Sequence, residues 1–212
     1  MNQIGPVTRP VTGPARSALI KPDRLLILAC SQRKHRSGQP ELAIDYYDGP
    51  LWRTLRAVDP DGSHAQVAVL SALYGLRAAR FERLLPYDMI MTATQAQAMI
   101  AGGITTRWPR PPRKSLPDTF GIHPAAEIFS MTRRTAHGTF TDVAIAGGHL
   151  YVDVATSWLP GLIDGGWISP DAPITVINQT IGRMRVALRH WLLAAPSRTA
   201  EAALQSSLTR AP

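Results

Sequence analysis

The stretch Leu25-Leu26-Ile27-Leu28-Ala29-Cys30-Ser31-Gln32-Arg33-Lys34 passes abruptly from an unbroken apolar run to a cluster of hydrogen-bonding and cationic groups. A strand covered on both faces needs such a run, without polar alternation, and a ligand site at the carboxyl end of a parallel strand needs small and polar groups at its exit. Two further stretches repeat the pattern. Gln66-Val67-Ala68-Val69-Leu70-Ser71 runs into Ala72-Leu73-Tyr74-Gly75-Leu76, and Thr141-Asp142-Val143-Ala144-Ile145-Ala146 runs into Gly147-Gly148-His149-Leu150-Tyr151. The expected fold is a single-domain α/β structure, an open, mainly parallel sheet with helices on both faces. If the three strands are parallel neighbours, their ends converge on one crevice.

Outward from the strands, Leu51, Leu55 and Val58 recur at helical spacing behind Pro50, which suits a first turn and predicts a helix over 50–58. Helices are also expected over 92–100, with Thr92 or Thr94 as cap, over 125–134, and over 181–193, where Met184, Leu188, Trp191 and Leu192 share a side. Residues 105–117 hold Pro109, Pro111, Pro112 and Pro117 and read as a basic loop, because proline breaks both helix and sheet hydrogen bonding. The expected organisation is a loose arm over 1–22, rich in Pro, Gly and Thr, an α/β domain over 23–195, and a small, polar tail over 196–212.

The 212 residues, 45% hydrophobic and 18% charged, suffice for one good core. A net charge of +8 makes a polyanion, nucleic acid above all, the natural partner class, although arginine-biased composition alone also produces such a balance. One cysteine excludes an intramolecular disulfide and a multi-cysteine metal site. No apolar run reaches the roughly 20 residues of a membrane span and no secretory apolar segment opens the chain, so the expected location is the cytoplasm. No GxGxxG follows the first strand and no GxxxxGK[ST] occurs, which removes the dinucleotide and P-loop classes. His35, His123, His137 and His149 have no short ligand spacing, so neither a metal nor another cofactor is expected.

Four ordered segments then carry a resemblance: Cys30-Ser31-Gln32-Arg33-Lys34, Asp45-Tyr46-Tyr47-Asp48-Gly49-Pro50-Leu51-Trp52, Ser71-Ala72-Leu73-Tyr74-Gly75-Leu76, and Pro86-Tyr87-Asp88. Together with Gly148 and Tyr151 they resemble a bacterial and phage domain family related in pattern to the YaaA-like proteins. The architecture implied is that of the uracil-DNA glycosylase superfamily. The activity implied is that of a monofunctional DNA glycosylase of anti-phage defence. It would act on double-stranded phage DNA carrying a modified base, such as glucosylated hydroxymethylcytosine, and leave an abasic site. No obligate protein partner is implied.

Cleaving an N-glycosidic bond requires negative charge near the sugar, a positioned water and donors to the departing base. Asp45 and Asp88, each inside a matched segment, are the candidate acids, and His149 at the third strand end is a candidate donor. Structural roles compete: Asp88 as a helix cap or an Asx turn after Pro86, Asp45 as an ion-pair partner of Arg33 or Lys34, His149 as a structural histidine. Cys30, Ser31, Gln32, Tyr47, Tyr74, Gly75, Tyr87, Gly148 and Tyr151 are candidates for a base and sugar pocket, with core packing as the alternative for Tyr47 and Trp52. Arg33, Lys34 and Arg36, with Arg107, Arg110, Arg113 and Lys114 around Trp108, are candidates for DNA contact, Trp108 as a stacking or wedging ring. Lys34 is the lysine that could serve as a Schiff-base nucleophile. A nucleotide or nucleoside hydrolase or transferase acting on a small molecule would use the pocket without the basic loop. A non-catalytic nucleic-acid-binding protein would use the loop without the acids.

Overall fold

The computed structural model describes residues 21–35, 37–119 and 123–195. All but Lys21 and Pro22 of the expected arm, the expected tail, and Arg36 lie outside the described residues. In chain order the elements are β1 (Arg24–Ala29), β2 (Glu41–Leu42), α1 (Ala43–Tyr46), α2 (Pro50–Val58), β3 (Gln66–Ser71), β4 (Gly75–Ala78), β5 (Arg83–Leu84), α3 (Ala93–Gly102), α4 (Pro124–Thr132), β6 (Asp142–Ala146), α5 (His149–Asp164), β7 (Ile174–Ile177) and α6 (Ile181–Leu193). Five strands form a sheet in the order β4-β3-β1-β6-β7. Strands β3, β1, β6 and β7 run parallel, and β4 is an antiparallel edge. β2 and β5 pair separately.

Every residue of β1, β3 and β6 is buried, as expected of strands covered on both faces. Alternation along β1 divides the core: Leu26 and Leu28 pack with Leu51, Trp52 and Leu55 of α2 and Met184, Leu188 and Trp191 of α6. Leu25 and Ile27 pack on the other side with Met99 of α3, Ile128 of α4, and Val152, Trp158 and Leu162 of α5. Helices therefore cover both faces. Among the described residues no helix is long and apolar enough to cross a membrane.

From β1 the chain crosses through α2 to β3 on one side, then returns to place β6 on the other side of β1. The strand order thus reverses between β1 and β6, the position where open α/β sheets form a crevice beyond the strands' carboxyl ends. Gly147 permits this close approach, because a Cβ on it would overlap the Cβ of Ala29.

The structure differs from expectation in several elements, among them the short α1, β2 and β5, which were not expected. Residues 149–151, expected as turn, are the first turn of α5, a helix of 16 residues whose internal Pro160 interrupts the helical signal in the sequence. The short strands β4 and β7 were not expected either. β4 folds back because Gly75 turns the chain at φ +67°, where a Cβ would also strike the Trp108 ring at 2.8 Å. The expected helix over 125–134 runs instead over Pro124–Thr132, and Thr92 is the cap of α3, its hydroxyl accepting from Gln95 N at 3.2 Å.

Candidate functional site

Beyond β1 the chain is pinned against the segment that leads into α2. Ser31 Oγ accepts from Gly49 N at 3.1 Å and donates to the carbonyl of Arg33. Asp48 N donates to Arg33 O at 2.9 Å and His35 N to Tyr46 O at 2.7 Å, so Lys34 lies in a bridge opposite Tyr47. The first residues of the polar cluster therefore hold a defined course. Trp52, whose Nε1 donates to Ala29 O at 2.9 Å, fastens α2 to the strand end and is a core residue.

The tyrosines of the matched segments form one buried scaffold. Tyr87 Oη lies 2.6 Å from Tyr47 Oη and 2.7 Å from Ser71 Oγ. Ser71 Oγ already accepts from Leu73 N at 3.2 Å and Tyr74 N at 3.1 Å, which leaves its hydroxyl proton to donate to Tyr87. Two further hydroxyls hold the backbone around Pro86. Tyr87 N donates to Tyr46 Oη at 2.9 Å, while Leu85 N donates to Tyr74 Oη at 2.8 Å and Leu85 O accepts from it at 3.0 Å. Burial raises the pKa of Tyr47 and Tyr87 well above the ordinary 10 and that of Tyr74 to about 12, so the scaffold is neutral.

This scaffold presents Asp88 to solvent. A cleft of about 840 Å³ opens there, lined by Gln32, Arg33, Lys34, His35 and Gly38 from the segment after β1 and by Tyr46, Pro86, Tyr87, Asp88 and Ile90. Lys34 is half-buried, with Nζ 4.6 Å from the centroid of the Tyr87 ring. Burial lowers its pKa from the ordinary 10.5, and the nearby Cys30 and Asp88 oppose that shift. Asp88 Oδ1 accepts from Arg113 Nη2 at 2.5 Å, both side chains remaining exposed, and this pair brings the proline-rich basic loop to the mouth of the cleft. His35 Nδ1 meets Glu41 Oε1 at 2.9 Å at the outer rim.

The other candidates are distributed as follows. Cys30, at the β1 exit, donates through Sγ to Tyr151 Oη at 3.3 Å, and Tyr151 Oη also accepts from Met91 N at 3.3 Å. That contact ties β1 to the first turn of α5, and burial raises the Tyr151 pKa. Gly148 and His149 are exposed at the start of α5 and are not among the residues lining the cleft. Asp45 is exposed on α1 and does not line it either. Arg107, Arg110 and Lys114 are exposed.

Besides Asp45, Gly148 and His149, which lie outside the cleft lining, four further sequence expectations need correction. Trp108 is 1% exposed, its Nε1 donates to Ala72 O at 3.1 Å, and its ring meets Trp158 edge to face with centroids 6.5 Å apart. It is a core residue, not a ring presented to a nucleotide. Tyr47 is fully buried, Tyr74 is 6% exposed, and Gly75 accommodates Trp108 rather than a ligand. Their role is to build the wall from behind.

Sequence reasoning passed over Tyr46 and Ile90 in the cleft and Ser71 behind it. Tyr46 and Ser71 both stand inside matched segments, so position within a motif is the available signal. Comparison with known proteins found no matching family model, no matching curated protein and no matching solved structure.

Proposed function

We propose that this protein is a DNA glycosylase with a uracil-DNA glycosylase-like architecture, which hydrolyses the N-glycosidic bond of a modified base in phage DNA and leaves an abasic site. The observation that carries the reading is the Asp88–Arg113 pair, which sets an arginine of the basic loop beside the acid of the cleft. A hydrolase of small nucleosides does not need a cationic loop at its mouth, whereas a duplex with one nucleotide flipped into the cleft presents its flanking phosphates there.

In this mechanism the flipped base enters the cleft lined by Gln32–His35, Tyr46 and Pro86–Asp88. Gln32 supplies amide donors and an acceptor for the base edge, and the rings supply apolar contact. The cleft volume falls in the range of pockets for ligands larger than a bare pyrimidine, which favours a base carrying a substituent. Asp88 is the acid at the cleft, held in place through the Tyr46 and Tyr74 hydroxyls. Its carboxylate stabilises the developing oxocarbenium charge and accepts a proton from the attacking water.

The test is incubation of the purified chain with unmodified and glucosyl-hydroxymethylcytosine duplexes, followed by mass spectrometry of released bases. Release of the modified base that is lost in Asp88→Asn and retained in Asp45→Asn supports the reading. Release that survives Asp88→Asn, or none from either duplex, removes it.

A further inference from the structure

We infer that Lys34 Nζ condenses with the aldehyde carbon C1′ of the abasic deoxyribose left in the cleft, holding the product as a Schiff base. The inference rests on the glycosylase reading for the origin of that sugar, but not for its chemistry.

The chain has 20 arginines and three lysines, Lys21, Lys34 and Lys114. Arginine serves phosphates bidentately and keeps its proton, so a chain this biased toward arginine meets its electrostatic needs without lysine. A lysine amine does what a guanidinium cannot, which is to lose a proton and act as a nucleophile. Lys34 is the lysine in the cleft wall. Lys21 lies at the opposite end of β1, bridged to Thr135, and Lys114 is exposed on the basic loop.

Its surroundings suit the reaction. The bridge to Tyr47 and the flanking bonds from His35 N and Asp48 N fix its backbone. Its half-buried stem brings Nζ over the Tyr87 ring. The charged and titratable groups facing it are Cys30, Tyr87 and Asp88. Burial favours the neutral amine, while Asp88 and the ring face favour the ammonium, and the first effect is the larger.

The step balances without an oxidant or reductant. The Nζ lone pair adds to C1′ of the ring-opened sugar, forming the C–N bond as the carbonyl oxygen takes a proton. That oxygen then departs as water with the two hydrogens formerly on nitrogen, and a C=N bond remains. Asp88 is the carboxylate in the cleft able to relay those protons. Departure of the 3′-phosphate requires a further proton abstraction from C2′ and is a separate step.

The test uses the full chain, a synthetic duplex with a pre-formed abasic site, and sodium borohydride, with adducts separated on a denaturing gel and located by peptide mass spectrometry. A covalent protein–DNA band mapping to Lys34, and absent in Lys34→Arg, is the expected result. The arginine variant keeps the charge, and its melting temperature and duplex binding show that it is folded. No band from wild-type protein, a band that persists in Lys34→Arg, or an adduct on Lys21 or Lys114 overturns the inference. Because the abasic site is pre-formed, trapping without base release from modified DNA removes the glycosylase reading alone. Base release without trapping removes only the role of Lys34.

Discussion

Arg24 and Asp142 face each other across the β1–β6 pair and form a buried ion pair, Nε to Oδ2 at 2.9 Å, at the end of the sheet opposite the cleft. Arg24 also spends its remaining donors on the last carbonyls of α6, those of Trp191 at 2.6 Å and of Leu192 and Ala194 at 3.2 Å. Trp191 returns a bond from Nε1 to Asp142 Oδ1 at 3.1 Å, and the guanidinium lies 4.1 Å from its ring centroid. One arginine therefore joins two strands and caps a helix C-terminus. Loss of Arg24 leaves Asp142 buried without a countercharge. Arg24→Leu is expected to cost about 3–5 kcal/mol in urea unfolding, and the double variant Arg24→Leu/Asp142→Leu is expected to recover part of that loss. A double variant less stable than Arg24→Leu contradicts the account.

The hydroxyl chain Ser71–Tyr87–Tyr47 makes a second stability prediction at the cleft wall. Tyr87→Phe removes the central oxygen and leaves two buried hydroxyls without their partner, at a cost of about 1–3 kcal/mol. Tyr47→Phe removes one end of the same chain. The two losses are expected to be non-additive, with a coupling of roughly 0.5–3 kcal/mol in a double-mutant cycle. Additive losses contradict a shared network.

Asp48 supplies the pH dependence. Hydrogen bonds and charge from Arg53, then Arg56, hold its pKa at about 2, below the ordinary 3.8. A carboxylate whose pKa is lowered by folding stabilises the native state above its unfolded pKa and loses that contribution as pH falls through the folded value. The melting temperature of wild type is expected to exceed that of Asp48→Asn by a constant margin near neutrality. That margin closes as pH drops from about 4 toward 2. A margin unchanged over this interval shows that the Arg53 and Arg56 pairings contribute nothing.

The basic loop separates electrostatic binding from packing. Changing Arg107, Arg113 and Lys114 to alanine is expected to lower the slope of log affinity for duplex DNA against log salt by roughly 1 for each phosphate no longer neutralised, with little change in melting temperature. Trp108→Phe is expected to do the reverse. It removes the bond to Ala72 O and core volume, so it lowers stability while leaving the salt slope unchanged. A Trp108→Phe protein of normal stability but weakened DNA binding contradicts the core assignment.

The sequence by itself determined the elements that carry their own periodicity. The bounds of α2, β3 and α6 were legible because Leu51 and Leu55, the run Gln66–Ser71, and Met184, Leu188 and Trp191 repeat at spacings that local geometry dictates. It also determined that polar groups gather where strands end. The tertiary structure alone decided which strand ends adjoin, because the reversal between β1 and β6 rests on pairing between residues more than a hundred positions apart. It alone turned Tyr47, Tyr74 and Trp108 inward and left Asp88 facing solvent, since no periodicity distinguishes a tyrosine that lines a wall from one that supports it. It alone brought Arg113 to Asp88, a pairing across 25 residues of proline-broken chain that no local preference encodes. Propensity acts between near neighbours, whereas a site is assembled by long-range packing.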